Sequence, residues 1–504
     1  MSLPKLVNKF LFFLIAVNII LGAYFLINGD IHFDVDVSRD FLVMDDIVRN
    51  NNLTLLGPRS GAILGIFHGP LWFYINLPAF IIGEGNPLIV GWFWFLLSVI
   101  FLGIIFYTAK KLFGFKVALL SVLFFSVNSI INSTYGLKNF YNPYGAVFLF
   151  PVFFLLFVQY INNLKVKYLV FSLFLLGLII QFQMAFGIPI LIAVSLYLSY
   201  FLFKKKKLYH FLSFFVLLIP LSTFILFDLK HDFLQSKALF QYFTEKNSLI
   251  SVNRVNELFF NFFDQLSPGK NLTTIITALF FFIGFVYSFK KSTKEIKTIY
   301  WFFGYLFLSF WVLSLFYSGS IGNYFWPFLP LTIIIFCSFV KFIKQEVFVL
   351  VFISLYLINL YAGISAILDF KLDINERGPH SWAFNQMVAR RIYQDAGNDF
   401  GYFNFSPDRY AYQQRYAMIY MGKYFPYKSF SSEKKLLTYL IEVDPPKDRP
   451  ELNGISWRIS DVKIDRSPDT TLRFDFILIE KYYLDNGEIE VVPNPYLLDS
   501  VFLR

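Results

Sequence analysis

Three carboxylates and an arginine crowd into one short stretch, Phe33-Asp34-Val35-Asp36-Val37-Ser38-Arg39-Asp40, directly after the first apolar segment, Phe10 to Ile27. Charges at the end of a membrane segment are costly to hold near lipid and mark a site by default. The competing account is a solvated acidic loop. On an extended strand Asp34 and Asp36 would share a face. If a helix starts near Asp36, then Asp36, Arg39 and Asp40 share one. A carboxylate held against an arginine stays ionised and can take a proton from a hydroxyl. The chemistry on offer is general-base catalysis.

Other polar residues cluster at segment ends. Gly57-Pro58-Arg59 is followed by Phe67-His68-Gly69-Pro70-Leu71. Arg59 has the forked geometry for a phosphate, or it anchors at headgroup level. His68 could meet a phosphate or pack at the interface. Asp36 with His68 is the candidate set for a divalent metal, and a single histidine with carboxylates is a thin one. Tyr135-Gly136-Leu137-Lys138-Asn139-Phe140-Tyr141-Asn142 adds Lys138, Asn139 and Asn142. Lys138 either faces an anion or snorkels. Asp228-Leu229-Lys230-His231-Asp232 adds Lys230, a further phosphate candidate, and His231. The chain has no Walker loop, dinucleotide fingerprint, zinc spacing or nucleophile elbow, so nucleotide-driven chemistry has no support.

Membrane helices must position these residues. Hydrophobic residues make up 57% of the chain and charged residues 15%, against about 25% charged in a soluble domain. Apolar runs separated by short basic loops predict a polytopic α-helical membrane protein with spans near 8–27, 88–109, 117–134, 144–161, 168–183, 187–203, 208–227, 271–289, 298–317, 324–343 and 347–367. The segment 69–82 is short and holds two prolines, which suits a re-entrant element in the outer loop 28–87. The break Gln181-Phe182-Gln183-Met184 divides an apolar stretch too long for one crossing. Lys5 and Lys9 precede an uncleaved signal anchor.

The formal charge of +10 is a topology signal. The inner segments hold 17 Lys and Arg against Glu295 and Glu346, whereas residues 369–504 hold 18 basic and 20 acidic residues. Basic loops face the cytoplasm. The N-terminus is therefore expected inside and the tail outside, in a prokaryotic plasma membrane, with membrane lipid and not nucleic acid as the basic residues' partner. The loop 228–270 lies outside too. Alternation in Arg473-Phe474-Asp475-Phe476-Ile477-Leu478-Ile479-Glu480 predicts strands, so 369–504 reads as a small extracytoplasmic α/β domain after a membrane domain, 1–368. The single cysteine, Cys337, allows no internal disulfide.

An acidic motif after the first span, then Gly-Pro, His68-Gly69-Pro70-Leu71-Trp72-Phe73-Tyr74, and an inner Lys110-Lys111-Leu112-Phe113-Gly114 turn resemble the GT-C membrane glycosyltransferases. The nearest branch is that of the bacterial protein O-mannosyltransferases and the lipid A aminoarabinose transferase. The resemblance is best over residues 1–210. It implies a polyprenyl-phosphate sugar donor, a lipid, glycan or protein acceptor, and inverting transfer on the outer face. It places the loop carboxylate at Asp36, with Asp34 as alternative because Val35 separates a pair that is adjacent in the family. The element before the re-entrant helix falls on His68, where some relatives carry glutamate and lysine, and this leaves metal dependence open. The polar residues after the third span fall on Lys138, Asn139 and Asn142.

The expectation is thus a glycosyltransferase with Asp36 as base, and with Arg39, Arg59, Lys138 or Lys230 on the departing phosphate. A transporter or flippase of a lipid-linked glycan would need charges near the midplane and usually internal repeats. A glycan polymerase would share the donor chemistry.

Overall fold

The structure, a computed structural model, describes residues 3–60, 65–128, 140–245, 252–269, 272–315 and 322–497. Lys138 and Asn139 lie outside the described residues.

The chain opens with α1 (Leu3–Gly22), a short α2 (Tyr24–Ile27) and the acidic helix α3 (Val35–Asn50). Then come α4 (Leu71–Ile82), α5 (Pro87–Phe113), α6 (Phe115–Val127), α7 (Pro143–Asn163), α8 (Val166–Phe182) and α9 (Met184–Lys205). A 3₁₀ helix (Leu208–Leu218) leads into α10 (Ser222–Lys230), α11 (Leu234–Glu245), α12 (Val252–Phe263), α13 (Leu272–Lys291) and α14 (Lys294–Leu315). A 3₁₀ turn (Gly322–Phe328) runs into α15 (Leu329–Ser338), and α16 (Gln345–Leu368) follows. The tail holds α17 (Trp382–Ala396), β1 (Phe400–Phe405), α18 (Tyr412–Met421), β2 (Ser429–Ser431), β3 (Leu437–Val443), β4 (Thr470–Phe474) and β5 (Ile477–Tyr483).

Helices fall on all eleven expected segments, but not all are long enough to cross a membrane unaided. Among the described residues seven are long and apolar enough, or eight if the bent pair at 208–230 is one span. The helices α6 and α8 and the apolar part of α1 are shorter. Lysines close α5, α9 and α13, where they complement the carbonyl ends. The expected single span 208–227 is broken, with a bend of 63°. Pro220 sits at the break and cannot donate a backbone hydrogen bond. The freed Pro220 carbonyl accepts from Gln181 Nε2.

The helix α4 occupies most of the segment read as re-entrant and holds Pro78. Gln183, between α8 and α9, carries the expected break.

The chain forms two compact units. The first comprises Met1–Tyr24, Thr54–Ile75 and Trp94–Ile367; the second comprises Phe25–Leu53, Asn76–Phe93 and Leu368–Arg504. The second unit therefore takes in α3 as well as the tail. Its five-stranded sheet has the order β2-β1-β3-β5-β4. Strand β1 runs parallel to β2 and β3, while β5 is antiparallel to β3 and β4. The core packed against this sheet includes Phe403, Leu440, Trp457 and Tyr482.

Backbone pairing explains why residues 25–53 go with the tail. Phe33 N donates to His380 O at 2.7 Å, and Trp382 N donates to Ile31 O at 3.2 Å. The buried Asp30 carboxylate accepts from Ser381 Oγ at 2.6 Å and Ala383 N at 3.1 Å, with Arg377 at 3.5 Å. Burial pushes the Asp30 carboxyl up despite these partners.

Candidate functional site

The acidic motif is the start of a helix. The strand alternative, with Asp34 and Asp36 on one extended face, does not hold. Asp34 is the N-cap of α3, and its Oδ1 accepts from Val37 N at 2.9 Å. An aspartate suits this position because it satisfies an amide that the first turn leaves free. Its other oxygen lies 3.9 Å from His32 Nε2.

One turn on, Arg39 binds two carboxylates. Its Nη1 donates to Asp36 Oδ1 at 2.6 Å, while Nε and Nη2 both donate to Asp40 Oδ1 at 3.0 and 2.7 Å. Exposure differs sharply: the Asp36 side chain is 50% exposed, Arg39 14% and Asp40 5%. Asp36 is thus the carboxylate open to a reactant, while Asp40 lies behind Arg39. Burial pushes the Asp40 carboxyl up to about 7, against the pull of Arg39. Asp40 Oδ2 has no hydrogen-bond partner among the described residues. Burial works against the Arg39 charge, but the two aspartates hold it firmly protonated. Arg39 was also a candidate phosphate ligand, and here the carboxylates occupy it.

Packing fixes α3. Phe41 lies 5.2 Å from Tyr416 and 5.5 Å from Phe33, ring to ring, and Trp382 packs 5.0 Å from Phe33. Tyr416 donates to Gly85 O, and Lys423 donates to Glu84 O at 2.9 Å while approaching Asp45 to 4.0 Å. Asp45 is also held by Arg49 at 2.8 Å. The Arg39 charge is felt at Tyr412, whose hydroxyl burial pushes up to about 12. The sequence signal for this support was the spacing of Tyr412, Tyr416, Tyr420 and Tyr424, one residue every helical turn.

In the first unit, Arg59 and His68 sit on two facing extended stretches. Arg59 bridges Phe67, Gly57 N donates to His68 O, and His68 N donates to Pro58 O, both at 2.8 Å. Gly69 N donates to Gln181 O at 2.8 Å, and Met184 N approaches His68 Nδ1 at 3.4 Å. The α8–α9 break thus locks the buried His68 in place. Phe67 N donates to Gln235 Oε1 at 3.0 Å, tying the same stretch to α11. Arg59 and Lys230 are exposed and make no ion pair among the described residues.

Asn142 and His231 have local duties. Asn142 Nδ2 donates to Phe182 O at 2.6 Å, satisfying the end of α8. His231 Nδ1 meets Phe227 O at 2.9 Å, and its ring stacks on Phe227 at 4.1 Å. Sequence reasoning placed Gln183 at the α8–α9 break and not among the site residues; its buried Oε1 lacks a partner among the described residues. For the metal reading of Asp36 and His68, no group of three or more His, Cys, Asp or Glu side chains comes together among the described residues.

No protein-family profile and no curated protein matches the sequence. Solved structures do match in three dimensions. Apo ArnT from Cupriavidus metallidurans superposes with a TM-score of 0.61 at 10% identity, covering 94% of this chain and 98% of that one. The same protein bound to undecaprenyl phosphate gives a TM-score of 0.59 at 10% identity, covering 97% and 99%. ArnT is an aminoarabinose transferase, and the fold of this chain is GT-C-like. The resemblance read from the motifs therefore holds for the fold across nearly the whole chain.

Proposed function

We propose that this chain is a membrane glycosyltransferase that moves a sugar from a polyprenyl-phosphate donor to a hydroxyl acceptor on the outer face of a prokaryotic plasma membrane. The observation that carries the reading is the Arg39 clamp, with one open and one buried carboxylate, in a GT-C-like fold. Asp36 is the general base. It accepts the acceptor hydroxyl's proton as that oxygen bonds to the anomeric carbon and the bond from that carbon to the phosphate oxygen breaks. Polyprenyl monophosphate leaves with the bonding pair. Such a displacement inverts the anomeric centre and needs one base, not a second nucleophilic carboxylate. Arg39 orients Asp36, and Asp40 fixes Arg39.

Arg59 and Lys230 are the described cations assigned to the phosphate, with Lys138 as a third. Fixed cations help most where charge develops in the transition state. The lysine-tipped ends of α5, α9 and α13 are assigned to the cytoplasm, with residues 1–368 as the transferase domain and 369–504 outside. ArnT from Cupriavidus metallidurans binds undecaprenyl phosphate; the same class of lipid is assigned to this chain by analogy of fold.

The test compares Asp36→Asn with Asp34→Asn. Membranes from a deletion strain expressing each variant are supplied with radiolabelled polyprenyl-phosphate sugars, and sugar incorporation is measured. Loss of a general base costs about 10²–10⁴-fold in rate. Asp36→Asn is expected to show that loss, and Asp34→Asn, which keeps a capping oxygen, a milder one. Near-wild-type turnover in Asp36→Asn would sink the assignment.

A further inference from the structure

A cleft of about 470 Å³ opens on the sheet of the second unit, and none of the residues assigned to the transfer chemistry lines it. Its walls come from the segments that follow the three parallel strands: Ser406 and Arg409 after β1, Ser432 after β2, and Glu451 to Asp461 after β3. The sheet order places β2 on one side of β1 and β3 on the other. The connection leaving β1 thus goes one way and the connection leaving β3 goes the other. In parallel sheets, ligands bind in the crevice outside the carboxyl ends of the strands at such a switch point. The volume falls within the range of about 300–1,000 Å³ usual for small-ligand sites.

The lining identifies the ligand class. Phe405 and Trp457 stand 5.2 Å apart, ring to ring, as an aromatic wall. Amides and hydroxyls dominate the polar lining. Two arginines, Arg409 and Arg415, are balanced by Glu451 and Asp461. Asp461 is oriented by Asn494, whose Nδ2 donates to its Oδ1 at 2.8 Å. Asn404 lines the cleft, and its buried Oδ1 has no hydrogen-bond partner among the described residues. A buried amide oxygen without a donor calls for an explanation, and a ligand hydroxyl supplies one. A charge-balanced site rich in amides and hydroxyls, with an aromatic wall, suits a molecule that has many hydroxyls and an apolar C–H face. A phosphorylated ligand would meet two carboxylates there.

We infer that this cleft is a saccharide-binding site, sized for one or two sugar rings and separate from the transfer chemistry. The inference does not need the transferase reading, because binding requires no donor and none of the residues assigned to catalysis.

The test uses the full chain in detergent. Saturation-transfer NMR is run with glucose, mannose, galactose, N-acetylglucosamine, maltose, cellobiose and chitobiose, and with inorganic phosphate followed by ³¹P line width. Two variants accompany the wild type. Ser460→Trp plugs the cleft from an exposed position, and Asn404→Leu removes the amide at similar volume. Retained thermal unfolding certifies their fold. At least one sugar is expected to give a signal in the wild type that falls at least tenfold in Ser460→Trp and weakens in Asn404→Leu. Three results would overturn the inference: no sugar bound by the wild type, equal sugar binding in the folded Ser460→Trp variant, or phosphate bound in preference to every sugar. Should the variant lose its fold, Ser456→Trp plugs the same cleft from another exposed position and is read in the same way.

Discussion

Replacing Arg39 with methionine isolates the clamp. Methionine keeps most of the stem volume and removes the fork. The Asp36 contact contributes little to stability, because a carboxylate that is 50% exposed is screened by water, and such pairs are worth about 0–1 kcal/mol. Asp40 is different. Its side chain is 5% exposed and receives both its hydrogen bonds from Arg39. Breaking a buried pair by removing one partner typically costs about 3–5 kcal/mol. Asp40 can escape part of that by staying protonated, and this makes the effect depend on pH.

In the wild type the Asp40 carboxyl stands at about 7, above the ordinary 3.8. A raised carboxyl contributes stability that is fully present below the unfolded value and is lost as pH rises through the folded value. For wild-type Asp40 that loss runs from about pH 4 to about pH 7 and then stops. Without Arg39 the carboxyl moves higher still, so the variant goes on losing stability above pH 7. The slope of the difference is at most about 1.4 kcal/mol per pH unit for one proton. Other raised groups, Asp30, Asp45 and Glu442, tilt both proteins alike and drop out of the comparison. The assay is the thermal midpoint in detergent from pH 5.5 to 9 for wild type, Arg39→Met and Arg39→Met/Asp40→Asn. The single variant's deficit should be roughly flat below pH 6.5 and widen above pH 7. The double variant lacks the Asp40 titration, so its deficit should shrink from pH 5.5 to about pH 7, where only the wild type loses stability, and stay flat above. A single variant that runs parallel to wild type from pH 7 to 9 would refute the reasoning.

Arg59→Ala and Lys230→Ala should each raise the KM for the polyprenyl-phosphate donor and weaken competition by undecaprenyl phosphate, with little change in the thermal midpoint, since both side chains are exposed and make no ion pair among the described residues. Unchanged KM in both would remove them from the phosphate site. Gly57→Ala should lower stability by several kcal/mol or block folding, because the added methyl would overlap the Gly69 carbonyl, a backbone atom that cannot swing away. A neutral thermal midpoint for this variant would mean that the facing stretches 57–60 and 66–69 are not paired as described.

What the sequence showed and what it hid follow from range. Lysines at the ends of α5, α9 and α13, and the polar pair Gln181 and Gln183 at the α8–α9 break, are local signals, and each was legible. So was the short proline-bearing α4. The break at Pro220 was not, because the apolar run continues on both sides and only the Gln181 side chain from another helix makes a bend tolerable there. The acidic motif allowed both strand and helix; Asp34 as N-cap decides for helix. No local pattern could rank Asp40 above Asp34. Its burial comes from packing against residues far along the chain. The cleft was invisible for the same reason, since three strand ends and a later loop build it.

That dependence changes how the tail should be regarded. The helix carrying the proposed base packs through Phe41 onto Tyr416, and the segment before it pairs with residues 380–382. Asp30, buried at that junction, takes its side-chain donor from Ser381 and approaches Arg377. Deleting 369–504 would therefore strip Phe41 of Tyr416 and Phe33 of Trp382, and would take from Asp30 the Ser381, Ala383 and Arg377 groups that meet its carboxylate. A chain reduced to its membrane segments would lose the packing that holds α3 and the Arg39 clamp in place. The tail is thus part of the support for the candidate site, and the cleft at its strand ends is proposed to serve a separate role.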